Sequence, residues 1–342
     1  MNKVDLTGKQ VVFIAPKTFG YEVQITEALK KLGATVYFHS DKPNESKWFK
    51  AFLRLMPKFV WFYCDYVFSR WLNTTAVKNC DVVFIIKGEG VSIRFLKLLR
   101  AKHPNAKFIL YMWDSLRNVK YTESKLKCFD KTMSFDPRDC ANYPSLQYRS
   151  LFYLETYQNK PIAETYNKLF FLGTLNGDRP KVLAEIIQQL DRSIQFNYQL
   201  FVRSRVELFF RRFLDKSFET INKENLIFDA INPEVIQKSM STCTAVLDIE
   251  HPNQSGLTMR TFEVLATGKK LITTNQSIVK QSFFDASTIL VIDRYQPNIP
   301  LSFFEEKARP LPQSFYTENS IVGWLEDILD FSNTKIAQNN LK

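Results

Sequence analysis

The chain has 342 residues, 45% of them hydrophobic and 24% charged, a size and composition that suit two globular domains and exclude a fibrous or low-complexity chain. Lys and Arg outnumber Asp and Glu by 46 to 35, and the net charge of +11 favours anionic partners: nucleotide diphosphates, an anionic membrane surface or nucleic acid. No apolar run approaches the roughly 20 residues of a membrane span, and the N-terminus carries no signal-peptide core, so the cytoplasm is the expected compartment.

In chain order, Gln10 to Ala15 is a continuous apolar run, as expected of a parallel strand buried on both faces. The turn 16–20 leads into a helix, Tyr21 to Leu32, which Gly33 ends, and Ala34 to Phe38 is the second strand. The turn lacks GxGxxG, which disfavours a dinucleotide fold of the dehydrogenase type. Pro43 to Asn73 is rich in aromatic residues interleaved with Lys47, Lys50, Arg54, Lys58 and Arg70, and Pro57 divides it into two helices. Residues 46–72 read either as a helix pair packed on the sheet or as a membrane-surface contact. Single-stranded nucleic acid is disfavoured, because no nucleic-acid-binding signature accompanies the aromatic residues.

Asp81 to Ile86 is another strand, and Lys87-Gly88-Glu89-Gly90 follows at its carboxyl end, where open α/β sheets bind ligands. Glu89 is either a general base for an acceptor hydroxyl or a helix N-terminal acid. A helix over Ser92 to Lys102 and a strand over Lys107 to Tyr111 come next. Asp114 is the second base candidate or the cap of the turn after it, and Trp113 can stack on a sugar ring. Lys131 to Phe135 adds a strand, so residues 1–150 read as a doubly wound α/β domain, which the resemblance given below would make the acceptor side.

Residues 151–168 read as the interdomain connection. Leu169 to Gly173 restarts the α/β pattern, and a loop with Gly177 opens a helix at Arg179-Pro180. The strand Asn197 to Arg203 ends in Arg203-Ser204-Arg205, where either arginine can reach a diphosphate and Arg203 is preferred because it follows the strand immediately, and Leu226 to Phe228 is a short strand. A helix from Asn232 to Met240 precedes the strand Thr244 to Ile249. The polar loop 250–255 then leads to a helix, Met259 to Thr267, closed by Gly268, and to a strand, Lys270 to Thr274. This βαβ unit aims free backbone N–H groups and the helix dipole at a phosphate or diphosphate, with Gly256 allowing close approach and Arg260 adding a cation. Glu263, one turn on, is an acceptor for sugar hydroxyls. Ile289 to Asp293 is the last strand and Ser320 to Phe331 a closing helix, so the second domain spans 169–331, with a polar tail over 332–342.

The stretch QSGLTMRTFEVLATGKKLITTN resembles the C-terminal nucleotide-sugar motif of GT-B glycosyltransferases, above all bacterial enzymes of lipopolysaccharide, capsule and exopolysaccharide assembly and the spore-maturation-type branch. The resemblance implies two Rossmann-like domains facing across a cleft. It also implies a sugar moved from a nucleotide-diphosphate donor to a saccharide or lipid-linked saccharide acceptor. Glu263 matches the glutamate that holds the donor ribose; the motif's first glutamate is absent, and Ser255, beside Gln254, stands in its place. By position, the donor set is Gly173, Thr174, Arg179, Arg203, Gln254, Ser255, Gly256, Leu257, Thr258, Arg260 and Glu263, with Glu89 or Asp114 as base if the reaction inverts. No DxD triplet occurs, so helix N-termini and arginines, rather than a metal, are expected to neutralise the diphosphate, and no cofactor is implied. The alternatives are a sugar-nucleotide epimerase or hydrolase on the same fold, a non-catalytic sugar-nucleotide binder, and a nucleic-acid binder. Five scattered cysteines without CxxC read as reduced thiols, and three histidines without ligand spacing disfavour zinc.

Overall fold

A computed structural model describes residues 4–75, 77, 79–158, 167–229 and 231–330. The expected polar tail and residues 159–166 of the expected connection lie outside the described residues. The first half of the chain runs β1 Gln10–Ala15, α1 Tyr21–Lys31, β2 Thr35–Ser40, α2 Lys47–Leu55, α3 Pro57–Thr74, β3 Val82–Ile86, α4 Ile93–Lys102, β4 Lys107–Met112, α5 Thr122–Leu126, β5 Lys131–Ser134, α6 Pro137–Asn142 and β6 Leu146–Tyr148. The second half runs β7 Lys168–Thr174, α7 Arg179–Gln189, β8 Gln195–Phe201, α8 Arg205–Leu214, β9 Leu226–Ile227, α9 Pro233–Ser241, β10 Ala245–Asp248, α10 Met259–Ala266, β11 Lys270–Thr273, β12 Ile289–Val291, α11 Ser302–Glu305, α12 Gln313–Glu318 and α13 Ile321–Leu329. Two compact units result: one holds the chain up to Ser150 together with α13, the other Leu151–Ser320.

The first unit is a six-stranded sheet in the order β2-β1-β3-β4-β5-β6, parallel throughout. Parallel strands covered on both faces need apolar side chains on both, and β1 and β3 are buried along nearly their whole length. Ser92 caps α4 by accepting the Phe95 N–H at 2.9 Å, and Pro57 opens α3, where its missing N–H costs no hydrogen bond. Strand order reverses between β1 and β3, the place where open α/β sheets form their binding crevice.

The second unit repeats the plan in the order β12-β11-β10-β7-β8-β9, again all parallel. Its reversal falls between β7 and β10. One core layer joins Phe171, Val182, Leu183, Leu247 and Ile272. The helix α8 carries Val206, Leu208, Phe209, Phe210 and Phe213 and has no counterpart in the sequence-based elements.

The closing helix departs from expectation. The sequence placed it with the second domain, as the end of 169–331, but α13 packs into the first unit. Trp324 is fully buried there, edge-on to Tyr111 at 5.0 Å and 6.0 Å from Phe84. Lys131 Nζ donates to the backbone carbonyls of Asp327 and Asp330 at 2.6 Å, so a cation caps the negative end of α13. Arg149 pairs with Asp327 at 2.9 Å. Sequence periodicity shows only that a helix has an apolar face; which surface accepts that face is decided by residues some 200 positions away.

Candidate functional site

Each unit gathers polar side chains at the carboxyl ends of its strands. In the first, a pocket of about 290 Å³ is lined by residues following β1 (Pro16, Lys17, Thr18), β2 (Lys42, Glu45), β3 (Lys87) and β4 (Trp113, Asp114), and by Lys50 and Arg54 of α2. Lys87 and Gly88 both take left-handed backbone, with φ near +60°. For a lysine that is strain held in place by its surroundings, a pattern common at functional sites. Gly90 is required by contact: a Cβ there would lie 2.2 Å from the Asp41 carbonyl oxygen.

Asp114 and Glu89 occupy different places. Asp114 lines the pocket, held by Lys87 at 2.8 Å and by Asn118 at 2.7 Å. Burial raises its pKa, but the Lys87 charge and these hydrogen bonds outweigh that and hold the carboxyl below its ordinary value, so it is ionised at neutral pH. Ser115, not Asp114, holds the N-cap position of the turn after it, and its hydroxyl donates to Asp136 at 2.7 Å instead of capping. Glu89 is 6% exposed and is not among the pocket-lining residues; its carboxylate lies 3.2 Å from Lys42, 3.7 Å from Arg54 and 3.9 Å from Lys87. Its backbone N–H donates to the buried Asp41, whose carboxyl burial pushes up. Lys125 is buried near Asp41 and Glu89 and donates to the Gly88 carbonyl at 2.8 Å; burial brings its amine down to about 8.

In the second unit the loop between β10 and α10 is shaped by side chains after β11. Asn275 Nδ2 donates to the Gly256 carbonyl at 3.1 Å and Ser277 Oγ to the Ser255 carbonyl at 2.7 Å, while Gln254 also reaches the Gly256 carbonyl. With those carbonyls tied down, the N–H groups of Gly256 and Leu257 have no acceptor among the described residues. Thr258 caps α10 by accepting from the Thr261 N–H, and it donates to Asp248 at 2.6 Å. Arg260 and Glu263 form an ion pair at 3.1 Å one turn in, with Glu263 almost fully buried. Tyr157 hydrogen-bonds both, and burial together with the Glu263 charge raises its pKa.

The remaining predicted donor residues divide. Gly173 and Thr174 end β7 at the strand-order reversal, and a Cβ on Gly173 would strike the Phe171 ring at 2.6 Å. Arg179 points inward: its guanidinium donates to the Ile249 carbonyl at 2.6 Å and the Thr174 carbonyl at 2.9 Å. Burial draws its pKa down, with the Asp248 and Glu250 charges opposing. Through these two carbonyls it ties the ends of β7 and β10 together. Arg203 is exposed and makes no hydrogen bond or ion pair among the described residues. The sequence reading missed Arg294, which binds Asp178 at 2.8 Å and both the carboxylate and the backbone carbonyl of Glu250. Its signal was available, since it directly follows the strand expected over Ile289 to Asp293. Asn275, just past the strand ending at Thr274, carried the same signal. Among the described residues no group of His, Cys, Asp and Glu could hold a metal ion, and no helix is long and apolar enough to cross a membrane.

No protein-family model matches the chain, and no curated protein matches it in sequence. Solved structures do match in shape. HepE of Anabaena in complex with UDP-glucose superposes with a TM-score of 0.57 at 11% identity, over 93% of this chain and 98% of that one. A glycosyltransferase from Rickettsia africae gives 0.52 at 12% identity, over 93% and 91%. The catalytic domain of starch synthase IV from Arabidopsis thaliana, bound to ADP and acarbose, gives 0.52 at 9% identity, over 96% of each chain. The chain has the GT-B fold. At these identities the likeness carries the fold and leaves the substrates open.

Proposed function

We propose that the protein is a glycosyltransferase that moves a sugar from a nucleoside-diphosphate donor to a saccharide or lipid-linked saccharide of bacterial surface polysaccharide assembly. The second unit holds the donor and the first the acceptor. The observation that carries this reading is the loop before α10. Asn275 and Ser277 hold its carbonyls, which leaves the amides of Gly256 and Leu257 unpaired at a helix N-terminus, with Arg260 and Glu263 one turn on. Unpaired amides at the positive end of a helix suit a diphosphate, and a buried carboxylate suits ribose hydroxyls. Arg203 is the exposed cation that can add to the diphosphate site.

In the first unit Asp114 is the base. It is ionised, it lines the pocket, and Lys87 and Asn118 orient it. In an inverting transfer the acceptor hydroxyl oxygen attacks the anomeric carbon, and its proton passes to Asp114. The bond from that carbon to the phosphate oxygen breaks, and the nucleoside diphosphate leaves with the electron pair, its charge met by amides and arginine. Glu89 is a positioning residue in this scheme: its carboxylate sits between Lys42 and Lys87 and fixes them. Trp113 lines the same pocket, which supports its stacking on the acceptor sugar. Residues 46–72 contact the membrane surface where such acceptors reside, and the protein acts on its cytoplasmic face.

The test is turnover. Purified protein is incubated with UDP-, GDP-, ADP- and dTDP-sugars, and release of the nucleoside diphosphate is followed with and without a membrane lipid extract. Release that rises with the extract, and falls at least 100-fold in Asp114→Asn, is expected. Conversion of the sugar nucleotide without transfer would mark an epimerase or hydrolase instead, and binding without turnover a recognition module.

A further inference from the structure

The α2 helix has three faces with three destinations. At about 100° per residue, Phe49 and Leu53 share one side, Lys50 and Arg54 a second, and Trp48, Phe52 and Leu55 a third. Leu53 is buried and Phe49 packs on the core, so the first face anchors the helix. The second lines the pocket that also holds Lys17, Lys42 and Lys87. The third is unpartnered: Trp48 is 80%, Phe52 56% and Leu55 69% exposed.

The next helix, α3, also exposes aromatic residues. Phe59, Phe62, Tyr63 and Tyr66 recur at helical spacing and are exposed, opposite the buried Cys64, Phe68 and Leu72. Bulky aromatic residues grouped on one outer surface are unusual for a protein that meets only water.

The pocket is positive. Around and beneath it lie six cationic side chains (Lys17, Lys42, Lys50, Arg54, Lys87, Lys125) against four carboxylates (Asp41, Glu45, Glu89, Asp114). Its outer cations are weakly committed. Lys17 is exposed and makes no ion pair, Arg54 lies 3.7 Å from Glu89 with a mostly exposed side chain, and Lys50 shares a half-exposed surface pair with Glu45. Surface pairs of that kind contribute little and give way to a stronger anion.

We propose that this pocket takes the phosphate or diphosphate headgroup of a membrane lipid, gripped by Lys17, Lys50 and Arg54, while Trp48, Phe52, Leu55 and the aromatic face of α3 sit in the bilayer interface. A helix with aromatic residues on one side and cations on the next matches the layering of an interface, apolar below and anionic phosphate above. A lipid-linked phosphate satisfies both faces at once, whereas a free anion uses only one. The inference rests on the proposed function only in taking this pocket as the acceptor site. It narrows the acceptor class to a saccharide carried on a lipid phosphate.

The test is vesicle co-sedimentation of the full chain at about 0.1 M salt, where charge interactions still reach across roughly 10 Å. Vesicles are phosphatidylcholine alone or with 20 mol% phosphatidic acid, and inorganic pyrophosphate is the soluble probe. Wild type should bind the phosphatidic acid vesicles at least tenfold better than the neutral ones. Lys50→Glu with Arg54→Glu should abolish that preference, and Trp48→Ser with Phe52→Ser should abolish binding to both. Circular dichroism confirms folding, and UDP affinity, read on the same samples, stays at the wild-type value because these residues lie outside the second unit. Unchanged vesicle binding in either folded variant overturns the proposal. So does pyrophosphate binding that Lys50→Glu with Arg54→Glu abolishes, found without any vesicle binding by wild type, which would mark a free-anion site. Loss of lipid binding with UDP binding intact supports the lipid reading, and failure to bind UDP alone counts against the donor reading only.

Discussion

Glu263→Gln isolates the carboxylate on which the donor reading depends. The amide keeps the side chain's volume in a position that is 3% exposed, so packing on α10 is preserved. Two losses are expected. The pair with Arg260, whose side chains are 21% and 4% exposed, lies between an exposed ion pair worth up to about 1 kcal/mol and a buried one whose breaking costs about 3–5 kcal/mol, so folding stability should fall by about 1–3 kcal/mol. A ribose hydroxyl donating to a charged acceptor contributes about 1.5–3 kcal/mol, so nucleoside-diphosphate affinity should fall about 10- to 150-fold. Denaturant melts measure the first and titration calorimetry with UDP the second. A sharper readout compares UDP with its 2′- and 3′-deoxy forms. If Glu263 holds the ribose, wild type discriminates against at least one of them and Glu263→Gln does not. A folded variant with unchanged UDP affinity and unchanged discrimination would refute the assignment, leaving Glu263 as the structural partner of Arg260 and Tyr157.

Three further outcomes follow from the packing. Trp324→Ala empties a fully buried indole site between Phe84 and Tyr111, and chemical denaturation should show a loss of about 3–5 kcal/mol; a loss under 1 kcal/mol would contradict the placement of α13 in the first unit. Arg294→Leu strands the buried Glu250 and the partly buried Asp178, at a cost to stability of about 3–5 kcal/mol, and a thermal melt close to wild type would show that those carboxylates find other partners. The third concerns pH. Lys125 releases its proton near 8 in the folded protein and near the ordinary 10.5 in the unfolded chain, so between those values the unfolded state binds more protons. Stability should therefore gain from this group as pH rises from about 8 to 10.5. Denaturation midpoints across that window should rise more steeply in wild type than in Lys125→Met, and parallel curves would contradict the assigned proton.

The architecture was legible wherever burial on both faces forces a continuous apolar run. Gln10 to Ala15, Asp81 to Ile86 and the strands around Gly268 coincide with β1, β3, β10 and β11 to within a residue or two. The loops at their carboxyl ends were legible for the same reason, since parallel strands put every such loop on one edge of the sheet. Side-chain direction was not. Arg179 sits at a helix N-terminus in sequence, but the bare carbonyls of Thr174 and Ile249 draw it inward, and that competition depends on a strand about 70 residues away. The role of α13 was hidden likewise, because Trp324 meets Tyr111 only after the chain has passed through the whole second unit. Helix α8 went unseen although Val206, Phe209, Phe210 and Phe213 recur at helical spacing; they are exposed, so the pattern marks no core-facing stripe.

The central claim is that the second unit binds a nucleoside diphosphate at the loop before α10. The most direct measurement is a thermal-shift series with UDP, GDP, CMP, ADP and dTDP, each with EDTA or with Mg²⁺. A ligand at about 100 times its Kd stabilises the folded protein by about 2.7 kcal/mol. A rise of several degrees with one nucleoside diphosphate in EDTA, reduced in Glu263→Gln, is the predicted result. No shift with any of the five nucleotides, with or without the metal, would contradict it.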